Sequence, residues 1–409
     1  MKQYQLVIIG GGASGLASAV QAQSMGLHEI AILEKLPRIG KKILATGNGH
    51  CNLSHENITS DDYYGSIPTK TLQNILSDFG TAEDFFQTMG LYTRTDSAGR
   101  IYPYSMTANA VLDAFRLMLE HTQTEIFCNQ NVTRFYKKGD LWHIVTDEME
   151  FLSKNVIFSA GGHASPKLGT DGTAWKLLES LNISISTPKP ILCPLISDKK
   201  QLHSLKGIRI KGNIALYDRS KLLRTESGEI QFNENNLSGI CVFNLSHLVD
   251  TRRIQDFSLS IDCIPEDTAE NTLDKLYVMR SIRYNADSEN MLSGLLVKPM
   301  ARHILKVCGI RADYPCNALT DRQLQQIAHI MHHVVFPVMN TGTFEQAQAT
   351  AGGVKGSALD EYLQVKKYSG LYVIGEAVDI HADCGGYHLH WCWASATRAI
   401  NHIILLQNK

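Results

Sequence analysis

The chain opens with a short apolar run, residues 4–9, that stops at a glycine cluster. A run of that length closed by glycine predicts a buried strand. Residues 14–26 are rich in small residues and end at Gly26, which predicts a helix with a glycine stop. A second apolar run, residues 29–34, ends in Glu34. Strand, tight turn, helix and strand make a βαβ unit, so the first sheet is expected to be parallel.

Helical periodicity follows at 68–90 and 106–121. Residues 125–128, 131–136 and 141–147 alternate like the strands of a meander, and 156–160 is a further buried strand closed by Gly161 and Gly162. Pro188, Pro190 and Pro194 then crowd together and the texture changes, which predicts a domain crossing. Alternating stretches at 205–217, 221–232 and 257–263 suggest a small antiparallel sheet or barrel. Residues 266 to about 333 read as mostly helical, and 334–338 and 344–350 as extended. Residues 370–374 form a last apolar strand and 387–405 a last helix. The parallel-sheet pattern thus opens the chain and returns at its end. The expected architecture is α/β, a Rossmann-like domain interrupted by an insertion. Residues 1–190 and 346–409 form the discontinuous nucleotide-binding domain. Residues 191–265 and the return strand 334–345 form a β-barrel-like part, and 266–333 a helical part.

Composition narrows the function. The 409 residues are 44% hydrophobic and 19% charged, with a formal net charge of -1. That describes a globular protein without the basic field that binds nucleic acid. No apolar run reaches the roughly 20 residues that span a bilayer. The opening residues are not expected to act as a secretory signal, because glycine ends the apolar run too early. The nine cysteines are scattered, and no C-x-x-C occurs. A reduced, cytoplasmic chain is expected, with no partner in a membrane or nucleic acid.

The chemistry concentrates in four segments. Gly10-x-Gly12-x-x-Gly15 sits between the first strand and helix. Gly10 permits the turn, Gly12 lets a pyrophosphate approach the backbone, and Gly15 lets helix and strand pack closely. Ala13 and Ser14 open the helix, whose free N–H groups suit phosphates. Glu34 ends the second strand, where a carboxylate can accept from ribose hydroxyls. The second segment, Gly40 to Asn52, is glycine- and asparagine-rich, with Lys41 and Lys42 suited to phosphates. Cys51 within it is a small buried hydrophobe unless its thiol pKa is lowered. The third runs from Gly375-Glu376-x-x-Asp379 to Gly385-Gly386-Tyr387 at the start of the last helix. That helix would point its positive end at the pyrimidine side of a flavin and stabilise the reduced form. The fourth is Ala160-Gly161-Gly162 with Pro166 to Gly172. Two ligand-facing turns at opposite ends of the chain suit a long, two-ended ligand such as FAD.

His381, Cys384, His388, His390 and Cys392 lie within twelve residues. Their spacing fits no standard zinc template, and a helix would spread them over several faces, so no metal is expected. The histidines His50, His388 and His390 are the candidate acid/base groups, since imidazole titrates nearest neutrality.

Together these segments resemble the bacterial flavoproteins described as NAD(P)/FAD-dependent oxidoreductases. That family includes aminoacetone oxidases and proposed bile-acid Δ4,6-reductases. Gly40-Lys41-Lys42 through Cys51-Asn52 is similar to its GKKLLxSGxGRCN stretch. Gly99 to Pro103 is similar to GRVFP, Thr350 to Val354 to TAGGV, and Gly370 to Trp391 to its GLYFAGE…GGYNLQWA run. Glu226 to Phe232 with Leu237-Ser238-Gly239 is similar to its GE-x-LFT…GISGP. The resemblance implies FAD domain, inserted β-barrel-like domain and helical domain, with substrate reaching the flavin between them. It implies non-covalent FAD, and contacts from Lys35, Lys42, Thr46, Gly47, Asn48, Cys51, Asn52 and Val132 besides those above. His50 stands where the family has arginine, Cys384, His388 and His390 also depart from its pattern, and Glu234 to Asn236 softens the GISGP approach.

The expected activity is hydride transfer between FAD and a small organic substrate. No second GxGxxG occurs, so either NAD(P)H visits the flavin transiently or dioxygen reoxidises it. Two rival readings are a flavin-dependent tRNA-modifying protein, which salt-sensitive tRNA retention would reveal, and a non-catalytic FAD-binding redox sensor, whose flavin nothing turns over.

Overall fold

The computed structural model describes residues 2–120 and 122–408; Met1 and Lys409, the ends of the expected nucleotide-binding domain, and position 121, the end of an expected helix, lie outside the described residues. The chain divides into two compact units, one formed by Met1–Pro190 with Ala347–Lys409 and the other by Ile191–Gln346.

The first unit is built on the strand Gln3–Ile9, whose Leu6, Val7 and Ile8 are fully buried. It pairs in parallel with Ile30–Leu33 on one side and with Glu150–Phe158 on the other. Helix Ala13–Ser24 crosses between the first two strands, and Gly26 follows it at φ +84. Glu125–Phe127 adds in parallel beside Ile30–Leu33. This corrects the expected meander: only Val132–Lys138, Leu141–Thr146 and Glu150–Phe158 form it. The strand Glu150–Phe158 serves two partners on one edge. Its first half pairs antiparallel with the hairpin, and its second half pairs in parallel with Leu371–Val373. The sheet therefore presents five parallel strand ends in one direction, drawn from both ends of the chain. The 21-residue helix Tyr387–Gln407 buries its inner face, Trp391, Trp393, Ala394, Ala396, Ala399, Ile400 and Ile403, in the core of this unit.

The expected helical stretch 68–90 is two helices, Thr69–Phe79 and Ala82–Gln87. Gly80 breaks the chain at φ +74, and the Thr81 side chain caps the second helix by accepting from the Asp84 N–H.

The inserted unit carries an antiparallel sheet in the order Val334–Pro337, Phe257–Asp262, Arg209–Asp218, Lys221–Phe232, Asn236–Ser238, Leu195–Ile196, Asn340–Thr341. Helices Ala269–Ile282, Ser288–Leu292, Lys298–Val307 and Asp321–His332 pack with it into one hydrophobic cluster. Sheet and helices thus share one core in this unit. Buried His332 ties them together, with Nδ1 at 2.9 Å from Asp262 and Nε2 at 2.9 Å from the Thr272 hydroxyl.

Trp393 is fully buried against Phe85, Phe86 and Phe115, and its indole N–H donates to the Leu53 carbonyl at 3.0 Å. Trp393→Ala is expected to lower unfolding free energy by ~3–5 kcal/mol, since it leaves both a cavity and an unpaired carbonyl. Urea denaturation of the FAD-loaded protein measures this; a loss below about 1 kcal/mol would show that the cluster collapses around the gap.

Candidate functional site: a dinucleotide cleft at the strand ends

A cleft of about 1380 Å³, counting its open mouth, runs along the C-terminal ends of the parallel strands. This is where open α/β sheets bind ligands, because the turns there converge and the helix N-termini point inward. Gly10 turns the chain at φ +106, and a Cβ there would lie 2.6 Å from the Ser159 carbonyl oxygen. A Cβ on Gly15 would lie 2.0 Å from the Gly10 carbonyl oxygen. Around Gly12, by contrast, a Cβ would meet nothing within 4 Å. Gly12 is also the N-cap of the helix and has no side-chain capping hydrogen bond. An uncapped helix start in an open cradle fits a pyrophosphate, whose oxygens accept the orphan N–H groups.

Gly10, Gly12, Ala13 and Ser14 line this part of the cleft. Glu34, Lys35, Val132, Ala160 and Gly161 line the strand ends beside it, and Lys42, Thr46, Glu376 and His388 line another part. Glu34 does more than expected. Its Oε2 accepts from the Gly11 N–H and its Oε1 from the Leu36 N–H, both at 2.9 Å. It braces the turn while its remaining lone pairs stay available to a ribose.

Lys42 Nζ lies 2.7 Å from Glu376 Oε2. Burial works to raise the Glu376 carboxyl, but the Lys42 ammonium and the Thr350 N–H outweigh it and hold the group below its ordinary range. The cleft therefore carries a fixed dipole. Beside it, His388 Nε2 lies 2.9 Å from the Ala382 carbonyl oxygen and 3.3 Å from the Ala382 backbone nitrogen. Burial lowers the His388 pKa, which favours the neutral ring. A neutral ring is a poor general acid, so His388 is suited to position a ligand rather than to protonate it.

The other two candidate histidines lie elsewhere. His50 is exposed, with Nδ1 at 2.6 Å from the Met106 carbonyl. His390 is buried behind the first strand of the 54–60 segment, with Nδ1 at 2.8 Å from Ser54 Oγ. Burial brings its pKa down to about 4. Neither lines the cleft. Cys51 is fully buried, and burial pushes its thiol up to about 12, so it is no thiolate nucleophile. Gly15, Gly47, Gly162 and Gly375 do not line the cleft but sit where a Cβ would meet neighbouring atoms, and exposed Asn48 does not line it either. Asp379 accepts from the Ser186 hydroxyl at 2.7 Å. Gly385, Gly386 and Tyr387 form the start of the last helix, where a Cβ on Gly386 would lie 2.3 Å from the Ser54 carbonyl oxygen and 2.7 Å from Asn52 Oδ1. Asn52 Oδ1 is buried and has no hydrogen-bond partner among the described residues. An orphaned buried acceptor is a place for a ligand N–H. His381, Cys384, His388, His390 and Cys392 do not converge into a metal-binding group among the described residues.

Several lining residues went unnoticed in the sequence. Gln130 and Asn131 follow the strand Glu125–Phe127, whose membership of the parallel sheet was not legible. Gln348, Leu389 and Cys392 also line the cleft. Lys35 reaches Asp171 at 3.0 Å, and Lys41 Nζ donates to the Lys167 carbonyl at 2.7 Å. These two contacts strap the 166–172 loop against the turn after the second strand. Partial burial opposes ionisation of Asp171, but Thr173 and Lys35 bring its pKa to about 2.

Fold and cleft together define a flavoprotein oxidoreductase with a Rossmann domain that binds FAD. The chain matches the family described as HI0933-like protein Rossmann domain over residues 4–402, and it belongs to that family. It is 32% identical over 394 residues to the 3-dehydro-bile acid delta(4,6)-reductase of Clostridium scindens, covering 95% of this chain and 96% of that protein. It is 24% identical over 418 residues to the ribosomal RNA dihydrouridine synthase of Haemophilus influenzae, covering 97% and 98%. Among solved structures, 3-ketosteroid delta1-dehydrogenase from Sterolibacterium denitrificans matches with a TM-score of 0.53 at 11% identity, over 99% of this chain and 100% of that one. That likeness is one of fold. Among the described residues, no helix is long and apolar enough to cross a membrane.

Two outcomes follow from the strap and from His390. Asp171→Asn removes a half-exposed ion pair worth up to about 1 kcal/mol, so FAD dissociation is expected to speed up about two- to fivefold. Recovery of free-flavin fluorescence on dilution measures it, and an unchanged rate at low salt would rule out the strap. For His390, the unfolded ring gains its proton below about 6.5 and the folded ring only below about 4. The folded state is therefore penalised as pH falls through that window, by up to about 1.4 kcal/mol per pH unit. His390→Gln is expected to flatten the fall in stability between pH 6.5 and 4; a wild-type slope in the variant would contradict this.

Proposed function

We propose that this protein is an FAD-dependent reductase of a carbon–carbon double bond conjugated to a carbonyl in a small organic molecule. The observation that carries the reading is the pairing of the dinucleotide cleft with end-to-end similarity to two relatives whose names describe reductions of one kind. A 3-dehydro-bile acid delta(4,6)-reductase and a dihydrouridine synthase both act, by their names, on an alkene in conjugation with a ring carbonyl. FAD, when bound, supplies the hydride acceptor and donor.

The residues divide the work. Gly12, Ala13 and Ser14 hold the pyrophosphate, and Glu34 with Val132 receives the adenosine end. Lys42 and Glu376 orient the ribityl and ring end through their fixed charges, and Asn52 Oδ1 accepts from a flavin N–H. The N-terminal end of helix Tyr387–Gln407 favours the negative charge that the reduced ring carries. Neutral His388 holds position and does not protonate substrate. NAD(P)H is the expected reductant, visiting transiently.

A second reading, reduction of a uracil base in ribosomal RNA, is favoured by the similarity to the Haemophilus protein. The net charge of -1 stands against it, since an RNA groove needs an excess of cations. The test is anaerobic. Protein reduced by NADPH or light is mixed with a 3-keto-4,6-diene bile acid, or with a uridine-containing ribosomal RNA fragment. Return of the oxidised flavin band with the dienone alone is the expected result. Return with the RNA alone would move the assignment to the second reading. Return with neither, together with bleaching of the oxidised flavin by an amine and hydrogen peroxide formation when dioxygen is admitted, would make the protein an oxidase.

A further inference from the structure

The ion pair of Lys42 and Glu376 is enclosed unevenly. Each carboxylate oxygen of Glu376 already accepts from a donor: Oε1 from the Thr350 N–H at 2.9 Å, and Oε2 from the Lys42 ammonium at 2.7 Å. Backbone packs against the carboxylate as well, since a Cβ on Gly162 would lie 3.0 Å from its carboxyl carbon. Lys42 is held by two acceptors, Glu376 and the Ala164 carbonyl at 3.3 Å. An ammonium has three donors, and the third has no partner among the described residues. The Lys42 side chain is also the more open of the two, 24% exposed against 16% for Glu376. Both residues line the cleft. The member of the pair with bonding capacity to spare is therefore the cation, and the carboxylate holds it in place.

The adjacent titratable groups of the cleft add little charge of their own. Burial shifts His388 and Cys392 toward their uncharged forms. The ion pair is only partly open to water, so its field is screened less than that of a surface pair. Reduced flavin carries more negative charge around N1 and O2 than oxidised flavin does. A cation felt by the ring favours the reduced form, and an anion opposes it.

We propose that the Lys42–Glu376 pair sets the reduction potential of the bound FAD. Lys42 supplies the cationic field, and Glu376 is the positioning residue that fixes that field and partly cancels it. The inference rests on the assignment of this pair to the ring end of FAD in the proposed function. It does not depend on which substrate the flavin reduces.

The test is the reduction potential of the FAD-loaded protein, measured anaerobically, without substrate, against a dye of known potential. Glu376→Gln keeps the shape of the side chain and removes the anion. It is expected to favour the reduced form by at least about tenfold, an upward shift of about 30 mV for a two-electron couple. Lys42→Met leaves the anion uncompensated, and a downward shift of about the same size is expected. The double variant Lys42→Met/Glu376→Gln is expected to fall between the two single variants. Loosened packing alone would not move the single variants in opposite directions. Shifts of one sign in both, or a change below about threefold in Glu376→Gln, overturn the proposal. Flavin content is measured first on each protein. Where Lys42→Met releases its FAD, Glu376→Gln decides alone: an upward shift supports the proposal, and an unchanged or lowered potential overturns it. Failure of the reductase reading shows elsewhere, as a flavin of shifted potential that no dienone reoxidises.

Discussion

At the end of the first strand two backbone segments meet at a distance that leaves no room for a side chain. Gly10 touches Ser159 and Ala160, and Gly15 touches the carbonyl of Gly10. The approach brings the first helix hard against the first strand, and it holds the ends of Gln3–Ile9 and Glu150–Phe158 side by side. Ser159 reinforces the junction by donating to the Ile9 and Gly10 carbonyls at 2.9 and 3.0 Å. The cleft, its cradle at Gly12 and the direction of the helix N–H groups all depend on that contact. A side chain at either glycine would push the helix off the sheet, and the phosphate site would go with it.

The rest of the cleft is organised by charges that come from far apart in the chain. Lys42 and Glu376 are 334 residues apart and make one ion pair. Both are mostly buried, so each depends on the other: an unpaired charge there would be strongly unfavourable. The Thr350 N–H and its hydroxyl, which accepts from the His163 and Ala164 N–H groups, brace the same corner. A ligand lying across the cleft therefore meets a preset electrostatic pattern and does not have to induce one. The Lys35–Asp171 strap differs in kind. It is half exposed and screened by water, so it is weak enough to open.

The polar residues near the last helix sort by burial. His388, His390 and Cys392 are all shifted away from their charged forms by desolvation. That favours a neutral imidazole, His388, and a protonated thiol, Cys392, in the cleft, and a neutral His390 held by Ser54 away from it. Five potential ligands in twelve residues look like a metal site on paper. His381 and Cys384 precede the helix, and the helix sends His388 and Cys392 to the cleft and His390 to Ser54, so the five do not converge among the described residues.

The amino-acid pattern alone determined the βαβ opening, the glycine fingerprint with Glu34 and the return of an apolar strand at residues 370–374. These are local signals: apolar runs, glycine stops and small residues record what each short segment must bury. The partners were settled by the tertiary structure. Residues 125–127 look like any short strand, and only the sheet places them parallel to Ile30–Leu33, which brings Gln130 and Asn131 to the cleft. His50 and His390 were as eligible as His388 in sequence. A helix of 3.6 residues per turn and the fold around it sent one to the cleft and one behind it. Spacing along a chain constrains which face a residue occupies; which neighbour waits on that face is decided by contacts hundreds of residues away.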